Sequence, residues 1–275
     1  MPGSPEHILI TGASGGLGGA LASHYASTGR TLSLSGRDSG RLAAICGQCR
    51  SSGAMVHGEM LDITDAAAAQ AWIEARDDKL PVDLVIANAG VGGADVVPSI
   101  EGESGALARD IINVNTLGVI NTVTPLLSRM VARGAGHLVL VGSISGSIGM
   151  PQSPVYCASK AAVQIYGDAL RRLLRHTGVR VTNVLPGFVD TTMSRSLDMP
   201  RPFCWSAEKA ARHIARDVAR GKGQCVFPWQ LRYAIGLAKV LPVPLADMIL
   251  SSTSGMGWSN APEPEAPHDD QSSLG

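Results

Sequence analysis

The chain has no excess of either charge: Lys+Arg and Asp+Glu number 23 each in 275 residues. A protein that grips nucleic acid or an anionic bilayer over a broad face carries a basic field, so this balance excludes nucleic acid as a partner and confines any phosphate binding to a local site. No leader is expected either, since Met1 to Pro5 runs directly into HILIT without a basic stretch, an apolar core or a small-residue cleavage site. No window approaches the roughly 20 apolar residues of a spanning helix. A cytoplasmic location is expected. Five cysteines are an odd number for a disulfide framework, which a chain this long does not need. Cys46 and Cys49 form one C-x-x-C in a helical segment, but no second pair and no nearby His completes four ligands, so free thiols and no metal are expected. Repeats of solenoid length are absent too.

What is present is apolar and alternating. Hydrophobic residues make up 45 % of the chain, ample for one buried core. HILIT (7–11), TLSLS (31–35), AMVHGEM (54–60), VDLVIANAG (82–90), GHLVLVGS (136–143) and VRVTNVLPG (179–187) are short runs rich in Val, Ile and Leu, the composition of strands buried on both faces. Segments of helical spacing separate them. The expected fold is α/β, a single-domain, doubly wound, mostly parallel sheet with helices on both faces. Residues 104–133 and 154–177 read as two long helices whose Ala- and Leu-rich faces suit a second subunit.

After residue 188 the pattern loosens. DTTMSRSLDMPRPFCWS reads as a mobile loop over a pocket. A helix follows, with Ser206 as N-cap and Glu208 in its first turn. The apolar stretch at 229–250 is broken by Pro242 and Pro244 and has few basic residues, so helices covering the core are favoured over a segment lying on a membrane surface. One domain is expected over 1–259, with 188–259 as a helical extension and 260–275 as a disordered tail.

The first strand-to-helix turn is HILITGASGGLGGAL, with glycines at 12, 15, 16 and 18. Glycine admits positive φ and close approach of the backbone, while the free N–H groups of a helix N-terminus attract a pyrophosphate. A merely flexible turn would use the same residues; the position on the first turn of an alternating fold favours a dinucleotide. Further on, SPVYCASKAAV sets Tyr156 and Lys160 four residues apart on one helix face, after a strand that ends in Ser143 at the sheet's carboxyl edge.

TGASGGLG (11–18), NAG (88–90), Asn115 in NVNTLG, Ser143 in LVGSISG, YCASK (156–160) and PGFVDT (186–191) occur in the order of the short-chain dehydrogenase/reductase family, which the chain resembles from residue 7 to about 220. The resemblance implies a Rossmann domain that moves hydride between a nicotinamide and a carbonyl or alcohol, with Asn115, Ser143, Tyr156 and Lys160 as the catalytic set. A ketone taking hydride develops negative charge on oxygen and needs a proton donor and hydrogen bonds there. A free tyrosine, with pKa of about 10, exchanges protons poorly near neutrality. The Lys160 ammonium, helped by the positive nicotinamide of the oxidised cofactor, is expected to lower that pKa, making Tyr156 the acid in reduction and the base in oxidation. Ser143 would polarise the carbonyl, Lys160 would also hold the nicotinamide ribose, and Asn115 would anchor a water. Taken singly each has a plainer role: Asn115 bending its helix, Ser143 capping a strand end, Tyr156 and Lys160 as a surface pair.

The cofactor set implied is Gly12, Ser14, Gly15, Gly16, Leu17, Gly18, Arg37, Asp62, Ile63, Asn88, Gly90, Tyr156, Lys160, Pro186, Gly187, Val189 and Thr191. In it Asp62 lies beside the adenine, Ile63 gives a backbone contact, Asn88 and Gly90 pack near the adenine ribose, and Thr191 reaches the carboxamide. Arg37 after the second strand favours NADP(H) over NAD(H), although Asp38 is the competing ribose ligand and Gly15 stands where many NADP-specific members carry a basic residue. Ile148, Met150, Met193, Phe203 and Trp205 suggest an apolar or lipid-like carbonyl substrate. Arg195 and Arg201 would either read an anionic headgroup or stand in solvent. The expected activity is an NADP(H)-dependent oxidoreductase of ketones and secondary alcohols, homodimeric or homotetrameric. The alternatives are a nucleotide-sugar epimerase or dehydratase and a non-catalytic dinucleotide-binding regulator.

Overall fold

Every residue of β1 (His7–Ile10) is buried, as an apolar run without polar alternation requires. The computed structural model describes residues 5–92, 103–197 and 200–252; the expected 260–275 tail lies outside them. After β1 come α1 (Gly16–Tyr25), β2 (Thr31–Gly36), α2 (Ser39–Ser51), β3 (Met55–Met60), α3 (Ala66–Lys79) and β4 (Leu84–Ala87). The chain continues through α4 (Gly105–Ile112), α5 (Gly118–Arg133), β5 (Gly136–Val141), α6 (Pro154–Leu173) and β6 (Val179–Pro186). A short pair, β7 (Val189–Asp190) and β8 (Trp205–Ser206), flanks the one-turn α7 (Thr192–Arg195); α8 (Ala207–Ala219), β9 (Gln224–Phe227), α9 (Trp229–Ala238) and α10 (Val243–Ser252) follow.

Seven strands form one sheet in the order 3-2-1-4-5-6-9, and every pairing in it is parallel. The order reverses between β1 and β4. That is the crevice where open α/β sheets bind their ligands. Ile8 and Ile10 point to a core shared with Leu21 of α1, Leu42 of α2 and Ile214 of α8, whereas Leu9 points to the other face with Ile73 of α3, Val123 of α5 and Val163 of α6. The period-2 alternation of one strand thus serves two helix layers.

The doubly wound expectation holds, with four differences. A seventh strand, β9, closes the sheet beside β6 just before the apolar stretch at 229–250, where no strand was expected. The helix expected over 104–133 is divided by a π turn at Asn113–Leu117, which packs Val114 and Asn115 inward. The run Gly105–Arg133 is also long and apolar enough to cross a bilayer by length and composition, contrary to the sequence reading, but Ile111, Val119, Val123, Leu126 and Met130 on it are spent on the core. Finally, α9 and α10 do not cover the core: α9 buries no residue, and apolar residues of both helices face outward. Ser206 caps α8 as expected, accepting from the Lys209 N–H at 3.2 Å.

Candidate active site

The glycine turn is stitched to the end of β4. Asn88 Nδ2 donates to the carbonyls of Thr11 (3.1 Å) and Gly12 (3.2 Å), and the Asn88 N–H donates to Thr11 Oγ1 at 3.3 Å. Asn88 therefore holds the turn in shape, a use distinct from the ribose packing expected of it. Gly12 has φ +68°, and a Cβ there would come 2.7 Å from Ala89 Cα. A Cβ on Gly18 would strike the Gly12 carbonyl oxygen and lie 2.6 Å from Asn88 Nδ2. Gly16 backs onto the Thr191 side chain, and a Cβ at Gly15 would meet nothing nearer than 3.9 Å. No side chain caps α1 and no acidic residue occupies its first turn, which leaves a helix N-terminus suited to an anion. Leu17 packs its side chain on the first core.

At the end of β2, a side chain on Gly36 would collide with Ser14, so the Ser14 hydroxyl sits over the strand terminus. Arg37 follows, exposed. Asp38, its competitor, is engaged locally: it accepts from the Arg41 N–H at 2.9 Å and pairs with Arg41 Nε at 3.1 Å, capping α2. Asp62 accepts from the Thr64 N–H (2.9 Å) and hydroxyl (2.8 Å), bonds that hold its carboxyl below the usual range, with Arg37 adding to the effect. Ile63 is buried, and its carbonyl accepts from Asn121 Nδ2 at 2.9 Å.

Beyond the switch point the four expected catalytic residues converge. Ser143 lies two residues past β5 and is buried; its Oγ accepts from the Ser145 N–H at 3.1 Å, and it stands near enough to the Tyr156 phenol to pull its pKa down. Lys160, one turn along α6 from Tyr156, is buried, points Nζ at the Val141 carbonyl (3.4 Å) and stands 5.8 Å from the Tyr156 ring centre. A Cβ on Gly90 would lie 3.2 Å from Asn115 Oδ1 and 3.3 Å from Lys160 Nζ, so glycine keeps a corridor open to the lysine. The Asn115 side chain is committed: Oδ1 accepts from the Val91 N–H (2.8 Å), and Nδ2 donates to the Val91 carbonyl (3.0 Å) and to Ser159 Oγ (3.1 Å). It ties the segment after β4 to α6.

Burial sets the electrostatics here. It pushes the Tyr156 phenol up, the Ser143 hydrogen bond pulling the other way, and it brings the Lys160 ammonium down to about 8. The net direction for Tyr156 is upward, because desolvating a phenolate in this wall outweighs the pull of Ser143.

One residue escaped the sequence reading. Glu103 is buried, and its carboxylate accepts from the N–H groups of Val155 (3.1 Å) and Tyr156 (2.9 Å). Ser153, the residue at the N-cap of α6, makes no side-chain cap, so Glu103 does that work from 53 positions away in sequence. No local pattern reveals such a partner.

The far wall comes from the end of β6. The Ser143 hydroxyl approaches the Pro186 carbonyl at 3.5 Å, the Gly187 N–H donates to the Phe227 carbonyl at 2.7 Å, Val189 is buried in β7, and Thr191 caps α7 through Ser194. Ile148 and Met150 line a cavity of about 610 Å³ together with Pro151, Cys157 and Leu250. Met193 lies over Gly92, and Phe203 is exposed. Trp205, by contrast, stacks on Phe227 with ring centres 4.8 Å apart and is packing. Arg195, its side chain 64 % exposed, and Arg201 both bond Asp190, at 2.8 and 3.2 Å, and hold its carboxyl down to about 2. Cys46 and Cys49 are buried free thiols, Cys49 pushed up to about 11 by burial. A group of metal-ligand type, His213, Asp217 and Cys225, lies elsewhere, with Lys222 Nζ 3.0 Å from Asp217.

Known proteins resemble this chain in sequence and in fold. Residues 6–201 match the model of the short chain dehydrogenase family. An uncharacterized oxidoreductase of Myxococcus xanthus is 39 % identical over 240 residues, 87 % of this chain and 94 % of the relative. A short chain dehydrogenase/reductase from Burkholderia phymatum, solved in complex with NAD, superposes with a TM-score of 0.77 at 25 % identity, covering 90 % of this chain and 95 % of that one. An alcohol dehydrogenase from the archaeon Thermococcus sibiricus, complexed with 5-hydroxy-NADP, gives a TM-score of 0.70 at 25 % identity, covering 81 % and 95 %.

Proposed function

The chain belongs to the short chain dehydrogenase family, and from that premise we propose that this oxidoreductase is an NADP(H)-dependent enzyme of apolar ketones and secondary alcohols in which Tyr156 exchanges the proton. The observation that carries the reading is the grouping of Tyr156, Ser143 and Lys160 in one wall at the carboxyl edge of the sheet, where the glycine turn also lies.

The turn fits a dinucleotide: Gly12, Gly16 and Gly18 each stand where a Cβ would strike the Asn88–Ala89 segment, the turn's own backbone or Thr191, so glycine is what lets the turn close tightly, and α1 offers its N-terminus to a pyrophosphate. Ser14 and Arg37 at the end of β2 would hold a ribose 2′-phosphate, and the engagement of Asp38 with Arg41 supports phosphate over bare ribose there. Thr191, Gly90 and Lys160 border the nicotinamide end. The bound cofactor supplies or accepts hydride. The rest belongs to the chain: Ser143 donates a hydrogen bond to the substrate oxygen, and Tyr156 delivers its hydroxyl proton to that oxygen in reduction or removes it in oxidation. Lys160 limits the cost of the phenolate that remains. Ile148 and Met150 support an apolar substrate. Exposed Ile165 and Leu173 on α6 support association through that helix.

Tyr156→Phe tests the assignment. Turnover in a screen of ketones with increasing chain length should fall by at least ~100-fold, with NADPH affinity retained, because only acid–base chemistry is removed. Turnover equal to wild type would take the proton step away from Tyr156.

A further inference from the structure

The helices after β9 leave large apolar side chains in water. Trp229, Tyr233, Leu237 and Val240 form one outward row along α9 and its C-terminus, 61 to 78 % exposed, and Val243 and Met248 of α10 add 71 and 63 %. Only Leu231 and Ile235 among the large apolar residues of α9 turn partly inward. Contiguous apolar surface of this kind on a folded chain marks a docking face.

The charges beside the row indicate what docks. Arg232 and Lys239, seven residues apart, flank it on one side, and neither enters an ion pair among the described residues. α9 contains no acidic residue. A second copy meeting this face about a two-fold axis would set these two cations against themselves. An anionic lipid headgroup would pair with both. The aromatic pair fits the same surface: Trp229 and Tyr233 meet edge to face with ring centres 6.0 Å apart, two side chains with apolar bodies and polar tips that suit the depth of the headgroups. Lys and Arg stems can then reach phosphate while the aliphatic residues lie deeper.

We propose that the outward face of α9 and α10 docks on an anionic lipid surface. The balanced charge of the whole chain is no obstacle, since the attraction needed is local and most of the affinity comes from apolar burial. Leu250 and Asp247 of α10 also wall the cavity lined by Ile148 and Met150, so docking would bring that cavity next to the lipid.

The test is sedimentation of the full chain with vesicles of phosphatidylcholine alone and with about one third phosphatidylglycerol, repeated at high salt. Binding to the anionic vesicles should be about 10-fold stronger and weaken with salt. Trp229→Ser with Tyr233→Ser should lose at least ~10-fold on both. Arg232→Gln with Lys239→Gln should lose the preference for anionic lipid while keeping NADPH binding. Should the apolar variant fail to fold, quenching of wild-type tryptophan by brominated lipid, reduced in Trp229→Phe, gives the same answer. No sedimentation with either vesicle overturns the proposal. So does a dimer that the apolar variant converts to monomer without any vesicle binding, which would give the face to a second copy.

Discussion

Replacing Glu103 would disturb Tyr156 without touching substrate or cofactor. Its carboxylate takes two backbone N–H groups at the start of α6, at 2.9 and 3.1 Å, and it is only 6 % exposed. Hydrogen bonds to a charged acceptor are each worth about 1.5–3 kcal/mol, and water entering the vacated space would recover part of that. Glu103→Ala should therefore lower unfolding stability by about 3 kcal/mol. Glu103→Gln keeps an acceptor oxygen and loses the charge beside the helix N-terminus, so about 1 kcal/mol is expected. Tyr156 N is one of the two atoms released, which lets the phenol drift from Ser143. A displacement near 1 Å at a proton donor can cost about 100-fold in rate. The assay pairs urea unfolding followed by circular dichroism with kcat and KM for a ketone. Glu103→Ala should lose kcat by about 10- to 100-fold with KM for NADPH unchanged, and Glu103→Asp should restore part of it. Stability within about 0.5 kcal/mol of wild type, together with unchanged kcat, would refute the reasoning.

Three further outcomes follow from the geometry. Arg37→Ala should weaken NADPH binding by about 10- to 100-fold and leave NADH binding as it was, read by fluorescence titration; equal losses for both would remove Arg37 from the 2′-phosphate. Gly18→Ala should weaken both dinucleotides by at least about 10-fold, because the new Cβ displaces the Asn88 amide that clamps the turn, and unchanged affinity would show the clamp to be dispensable. His137 is buried, bonded to Thr182 at 2.8 Å, and held at about 3 against 6.5 in the unfolded chain. Its stabilising effect is complete above about pH 6.5 and is lost as pH falls towards 3, since only the unfolded chain takes up the proton; near pH 5 the loss is about 2 kcal/mol. Urea unfolding at both pH values should show that loss in wild type and a smaller one in His137→Asn.

The site was largely legible because its residues act through neighbours close in sequence or at fixed places on the alternating fold. The glycine turn announces itself by composition, and Tyr156 and Lys160 by a four-residue spacing. Six strands were legible for the same reason, each an apolar run bounded by turn residues. The seventh, QCVF, has four residues with a polar start and a proline directly after it, too short a run to stand out by composition. Glu103 was invisible because it caps a helix distant in sequence. The outward face of α9 was misread because apolar content predicts burial, while only the packing of β9 and its neighbours decides which side finds a partner. Arg195 and Arg201 show the converse: the carboxylate that claims them, Asp190, stands within eleven residues of both.

The π turn at Asn113–Leu117 makes residue count itself a constraint. Each residue added to or removed from a helix rotates all that follows by about 100°, and this wider turn absorbs one extra residue between two stretches that both face inward. Shortening it by one would straighten the helix and swing either Asn115 away from Val91 or Val119 and Val123 out of the core. Exposed loops away from the glycine turn and the crevice can lengthen or shrink at far smaller cost. At this point a single-residue deletion would be felt in the crevice and the interior at once.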